Sequence, residues 1–174
     1  MSGVAGDACG MTENDGRHDF DFVPGVWLMQ HRKLVNVLDP TCDEWVEFES
    51  VSTGDVRLYG LGNTDRMLVP AMPPHGEPYE GMTLRLFDPD EKVWRIWWTS
   101  SRYPGRLDPP VVGRFENGVG LFYADDEIDG TKIKVRFTWS DTTTDCPKWN
   151  QAFSFDGGET WKPNWYNSFT RLSH

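Results

Sequence analysis

The chain has 174 residues, and 27 acidic against 17 basic side chains give a formal net charge of −10. That balance argues against nucleic acid, whose phosphates need a basic face, and against anionic membrane surfaces; no apolar stretch approaches the roughly 18 residues of a membrane span. The length suits one domain with one core, and an aromatic content of 14%, with nine Trp and ten Phe, demands either a dense core or a ring-lined cavity.

Residues 1–17 are small and polar and read as a flexible tail before a single domain over 18–174. They have no basic start and no apolar stretch, so they do not read as a secretory leader. Cys9, Cys42 and Cys146 form no CxxC pair and fit a reducing cytoplasm. Residues 18–24 offer one turn of helix. The rest is a series of short runs rich in β-branched and aromatic residues: 27–35, 45–51, 55–62, 82–88, 92–100, 111–118, 119–125, 131–140, 149–156 and 164–172. In 131–140, Ile133, Val135, Phe137 and Trp139 share one face, and Lys132, Lys134, Arg136 and Thr138 the other, the pattern of a half-buried strand. Two Pro- and Gly-rich stretches, 70–81 and 101–110, read as irregular loops that would cover a barrel mouth if they shared one. The expected fold is all-β, an antiparallel up-and-down barrel of about eight to ten strands.

Gly25-Val26-Trp27 opens the first strand and Arg171 lies on the last. In an up-and-down barrel these strands are neighbours, so a cation can lie over the indole and close one end. The arrangement resembles the lipocalins and the wider calycin superfamily, which implies a barrel with a pocket. DFDFVPGVWLMQHRKL near the start and QAFSFDGGETWKPNWYNSFTR near the end also resemble a group of small actinobacterial-type proteins with such a barrel. That resemblance carries no reaction and transfers no catalytic residue. Ser154-Phe155-Asp156-Gly157-Gly158-Glu159-Thr160-Trp161 resembles the Asp-box hairpin of sialidase propellers, but a single copy excludes a propeller and predicts a hairpin alone.

Period two from Trp27 places Met29, His31 and Lys33 inward. His31 is a candidate acid or base, with the plain alternative of a buried hydrogen-bonding residue. Trp165, Asn167, Phe169 and Arg171 share a face, as do Trp149, Gln151, Phe153 and Phe155. Amides among rings are the composition of a small-molecule pocket. The candidate wall is Met29, Trp98, Phe137, Phe153 and Trp165, with Gln151, Asn167 and Arg136 as polar anchors and Tyr123 as a second acid–base candidate. Arg85, Arg95, Arg114 and Arg136 recur one per strand; facing outward they would pair with acids, and an inward pair would make a carboxylate or enolate site. The four His show no metal-ligand spacing, and no nucleophile elbow or phosphate loop occurs, so neither metal nor cofactor is expected.

These residues support binding of a small, largely hydrophobic organic molecule. The same cavity would serve a cofactor-independent enzyme of specialised biosynthesis that cyclises, isomerises or hydrates a polyketide- or terpenoid-like substrate. A filled barrel acting as an interaction protein is a third reading, and a homodimer is left open.

Overall fold

The computed structural model describes residues 14–174. The tail expected over 1–17 lies mostly outside the described residues. Its end does not: the carbonyl of Gly16 accepts a hydrogen bond from Trp94 Nε1 at 2.9 Å.

Ten strands form one closed antiparallel barrel: β1 (Gly25–Leu34), β2 (Trp45–Arg57), β3 (Gly62–Met72), β4 (Glu77–Asp88), β5 (Val93–Ser100), β6 (Val111–Glu116), β7 (Val119–Ile128), β8 (Thr131–Ser140), β9 (Lys148–Ser154) and β10 (Lys162–Ser173). Each strand pairs with its sequence neighbours, and β1 pairs with β10 to close the ring. This is the up-and-down order expected, and it is consistent with a lipocalin-like fold. The connections after the odd-numbered strands therefore share one end, the mouth, and those after the even-numbered strands share the base.

Local chemistry explains the strands and their turns. In β8 the alternation holds, with Ile133, Val135 and Trp139 buried. Asn117-Gly118 and Asp129-Gly130 close two hairpins with both residues at positive φ, the conformation that matches strand twist in two-residue turns. Residues 18–24 form consecutive turns rather than a helix.

Two expectations are corrected around β2 and β3. The run 55–62 is not a strand of its own: β2 continues through it to Arg57, and a short 3₁₀ turn, Leu58–Gly60, follows. The break expected between 51 and 55 is absent: a Cβ on Gly54 would sit 2.3 Å from the Val23 carbonyl, so Gly54 is a close-approach position within a continuous strand. The stretch 70–81 is mostly strand, with a turn at 73–76. Pro70 is tolerated because the β3–β4 register shifts between Val69 and Met72. The inner face of β3 begins with Asn63 and Asp65, which masks its alternation.

The base is plugged by the segment before β1. Phe20 is 1% exposed and packs against Trp94, Phe115, Phe122 and Trp139. The Arg171 guanidinium lies 4.0 Å over the Trp27 ring and donates to the carbonyls of Pro24 at 2.8 Å and Phe22 at 2.9 Å. Trp27 Nε1 donates to the Val23 carbonyl at 3.1 Å. A Cβ on Gly25 would fall 2.6 Å from the Ser173 carbonyl and 2.7 Å from Arg171 Nη1, so side chains are barred there. Arg171→Ala removes the cation from the ring and leaves two carbonyls without donors, a loss of about 2–3 kcal/mol. Urea unfolding followed by tryptophan fluorescence should show it as a lower midpoint at an unchanged slope, whereas an unchanged midpoint would deny the closure any energetic role.

Candidate functional site

The barrel interior holds a cavity of about 250 Å³ between the base plug and the mouth. Its middle is aromatic. The Trp149 and Trp165 rings meet nearly edge-on at 5.4 Å, Trp98 and Trp165 at 6.2 Å, and Phe137 and Trp149 at 5.0 Å. Toward the base the lining is Trp27, Met29, Ile96, Trp139 and Phe169. Such edge-to-face rings hold one another in fixed orientation. Trp98 reaches this place because it lies across Gly81, where a Cβ would fall 2.1 Å from the indole.

Three connections contribute to the mouth, the loops 35–44 and 101–110 and the β7–β8 turn, which supply Val37 and Leu38, then Tyr103, Arg106 and Asp108, and then Asp129. The second is the irregular loop expected there, and it lies at the mouth because it follows an odd-numbered strand. Its anchor is Arg106, which donates to Asp108 at 2.9 Å and to both carboxylate oxygens of Asp126 at 2.9 Å. Burial raises the Asp108 carboxyl above its ordinary range, against the opposing Arg106 contact. The first loop is tied down by Lys162, whose amine donates to the Pro40 and Cys42 carbonyls at 2.6 and 2.5 Å.

The residues singled out from sequence divide into three groups. Met29, Trp98, Phe137, Gln151, Phe153, Trp165 and Asn167 all face the cavity. Gln151 donates through Nε2 to Asn164 Oδ1 at 2.9 Å, while Asn167 Oδ1 is buried without a hydrogen-bond partner among the described residues.

His31 points inward but is sealed in the wall. Its ring stacks on Phe48 at 4.4 Å, Nδ1 accepts from Trp165 Nε1 at 3.1 Å, and Nε2 lies 2.6 Å from Ser50 Oγ. With Nδ1 accepting, the proton sits on Nε2 and is donated to Ser50. Burial pushes the imidazole down to about 3, with Asn167 opposing and the Lys33 charge adding to the fall. Both nitrogens are engaged and the ring stays neutral, so the structure supports the plain reading of a hydrogen-bonding wall residue that aligns Trp165.

Tyr123 and Arg136 lie elsewhere. They are cross-strand partners on the outer faces of β7 and β8. The Arg136 guanidinium sits 4.8 Å over Trp161, and Tyr123 meets the same ring at 5.8 Å. Period two decides this: the inner positions are taken by Phe122, Val135 and Phe137. Trp161 is delivered by the 154–161 hairpin, where Ser154 and Asp156 tie the turn. The Ser154 hydroxyl donates to Asp156 at 2.8 Å, and the backbone amides of Gly158 and Thr160 donate to Ser154 and Asp156 at 2.8 and 2.9 Å. The Thr160 hydroxyl, which also donates to Asp156, followed by the Thr160 amide and the Ser154 hydroxyl, holds the Asp156 carboxyl down to about 2.

The site residues chosen from sequence do not include the charged lining, although Lys33 is placed inward and an inward Arg85 is one of two readings. Arg85 is buried and bonds Asn63 at 3.0 Å and Asp65. Lys33 lines the cavity near the mouth, its amine 4.0 Å over the Trp165 ring. Dense surroundings push that ammonium down to about 8, and Arg102 adds repulsion. Alternation from Trp27 already placed Lys33 inward, but its missing partner is visible in three dimensions alone. Among the described residues no three His, Cys, Asp or Glu side chains cluster to hold a metal, and no helix is long and apolar enough to cross a membrane.

Comparison with known protein families and with curated proteins gives no match to this chain.

Because His31 takes up a proton on unfolding, stability should fall with acid. The window runs from its ordinary value of 6.5 down toward about 3 in the fold. The unfolded chain binds the extra proton there, at up to about 1.4 kcal/mol per pH unit. Urea midpoints between pH 7 and pH 4 should slope more steeply for the wild type than for His31→Gln; equal slopes would mean that the imidazole is not held neutral.

Proposed function

We propose that this protein binds a small, largely apolar organic molecule inside the barrel. The observation that carries the reading is the aromatic cavity of about 250 Å³, walled by Trp98, Trp149, Trp165, Phe137 and Phe153, with Asn167 on its lining. Its volume equals roughly eight waters of liquid. Apolar walls with a few placed polar groups are the usual make-up of a ligand pocket. The closed up-and-down barrel and the Arg171–Trp27 closure also support kinship with the calycins. The mouth loops and their Arg106 and Lys162 tethers fit a site that limits entry of water.

The test is thermal unfolding with a panel of apolar organic molecules, followed by mass spectrometry of each that stabilises. A ligand at a hundred times its dissociation constant adds about 2.7 kcal/mol, which in a chain of this size raises the midpoint by roughly 5–10 °C. Recovery of the molecule unchanged makes the protein a carrier, and conversion in large excess over protein makes it an enzyme. Failure of every probe would point to an interaction protein with no cargo. Gly81→Ala should weaken binding by about tenfold or more, because its Cβ would displace the Trp98 indole and the free space beside that ring is the cavity. Retained affinity in that variant would place the ligand elsewhere.

A further inference from the structure

Three cations line the cavity: Lys33, Arg85 and Arg106. Two are neutralised by the protein itself. Arg85 is ion-paired with Asp65, and Arg106 with Asp108 and Asp126. Lys33 has no carboxylate partner among the described residues, and its amine rests against the face of Trp165. An ammonium withdrawn from water without a counter-ion is costly, and the ring face offsets part of that cost.

A second unsatisfied group lies deeper on the same wall. Asn167 is 8% exposed, and its Oδ1 has no donor among the described residues. In the β1–β10 register Lys33 pairs with Trp165 and His31 with Asn167. The two positions are therefore about 7 Å apart along the strand. Below Asn167 the lining turns apolar, with Met29, Phe169 and Trp139. From mouth to base the cavity thus offers a cation, then an acceptor, then hydrocarbon and rings.

Resting on the cavity reading above, we propose that the ligand is an amphipathic organic carboxylate, whose charged oxygens pair with Lys33 at the mouth and whose hydroxyl group donates to Asn167. The bound carboxylate supplies the counter-ion that the protein withholds, and the hydroxyl satisfies the orphan acceptor. The net charge of −10 does not forbid this, because charges on the outer surface are screened over about 8 Å of salt solution. Specificity then comes from matching these two groups, since a neutral analogue leaves the ammonium unpaired.

Calorimetric titration of the wild-type protein with 4-hydroxycinnamate, cinnamate and cinnamyl alcohol tests the assignment. Affinity should fall in that order, with cinnamate about tenfold or more above the alcohol. Lys33→Met, which keeps an unbranched chain against Trp165, should erase the preference for cinnamate over the alcohol and leave the alcohol's affinity within about twofold. Asn167→Leu should erase the preference for the hydroxylated acid. If cinnamyl alcohol binds the wild type as tightly as cinnamate, or if Lys33→Met leaves the preference intact, the carboxylate assignment is overturned while the pocket stands. If apolar probes stabilise the barrel and none of these three binds, the assignment is also overturned. If nothing binds at all, the cavity reading falls with it. Should Lys33→Met fail to fold, the comparison of the three probes on the wild type decides.

Discussion

The pairing of β1 with β10 is the contact on which the rest of this barrel depends. It joins the first and last strands, so Trp27 and Arg171 meet from opposite ends of the barrel's sequence. Loop closure over that length is entropically unfavourable but grows slowly with length. What offsets it is a run of ladder hydrogen bonds, one stacked cation and a plug of rings around Phe20. Once the ring is closed there is, among the described residues, no exposed edge strand to pair with another chain. The same closure fixes the inner face of every strand, because a slip of one residue would turn each core side chain outward.

Ten strands enclose more width than their side chains fill. Here the base is filled by Phe20, Trp94 and Trp139, and the middle is left open between rings. An empty interior of this size costs stability, since its lining lacks partner atoms on one side. The edge-to-face rings of Trp98, Trp149 and Trp165 keep it from collapsing, because each ring is held by another and Trp98 is seated on Gly81. Rigidity of the wall and openness of the cavity thus have one origin.

Much of this was legible in the sequence. The inner faces of β1, β8, β9 and β10 follow from strict alternation, and seven of the proposed lining residues sit where alternation puts them. The hairpin at 154–161 was legible because its side chains tie the turn locally. Three features were not. β3 was hidden because its inner face starts with Asn63 and Asp65, whose purpose is visible only beside Arg85. The continuity of β2 through Gly54 was hidden because nothing local reveals the Val23 carbonyl that passes over it. The outward seat of Arg136 and Tyr123 follows from alternation, but its cover does not: Trp161 arrives over them from a distant hairpin.

The inner polar groups differ in how their burial is compensated, and the difference follows depth. His31 is deprotonated and bonded at both nitrogens, so it carries no charge to solvate. Arg85, nearer the base, has the Asp65 carboxylate beside it. Lys33, at the mouth end of β1, has no carboxylate partner among the described residues, and burial lowers its ammonium to about 8 with only the Trp165 face against it. An apolar residue at that position would pack on Trp165 with no charge to bury and would favour the folded state. A cation held at such a cost, beside a cavity that its neighbours keep open, makes sense as half of an interaction whose other half is not part of the chain.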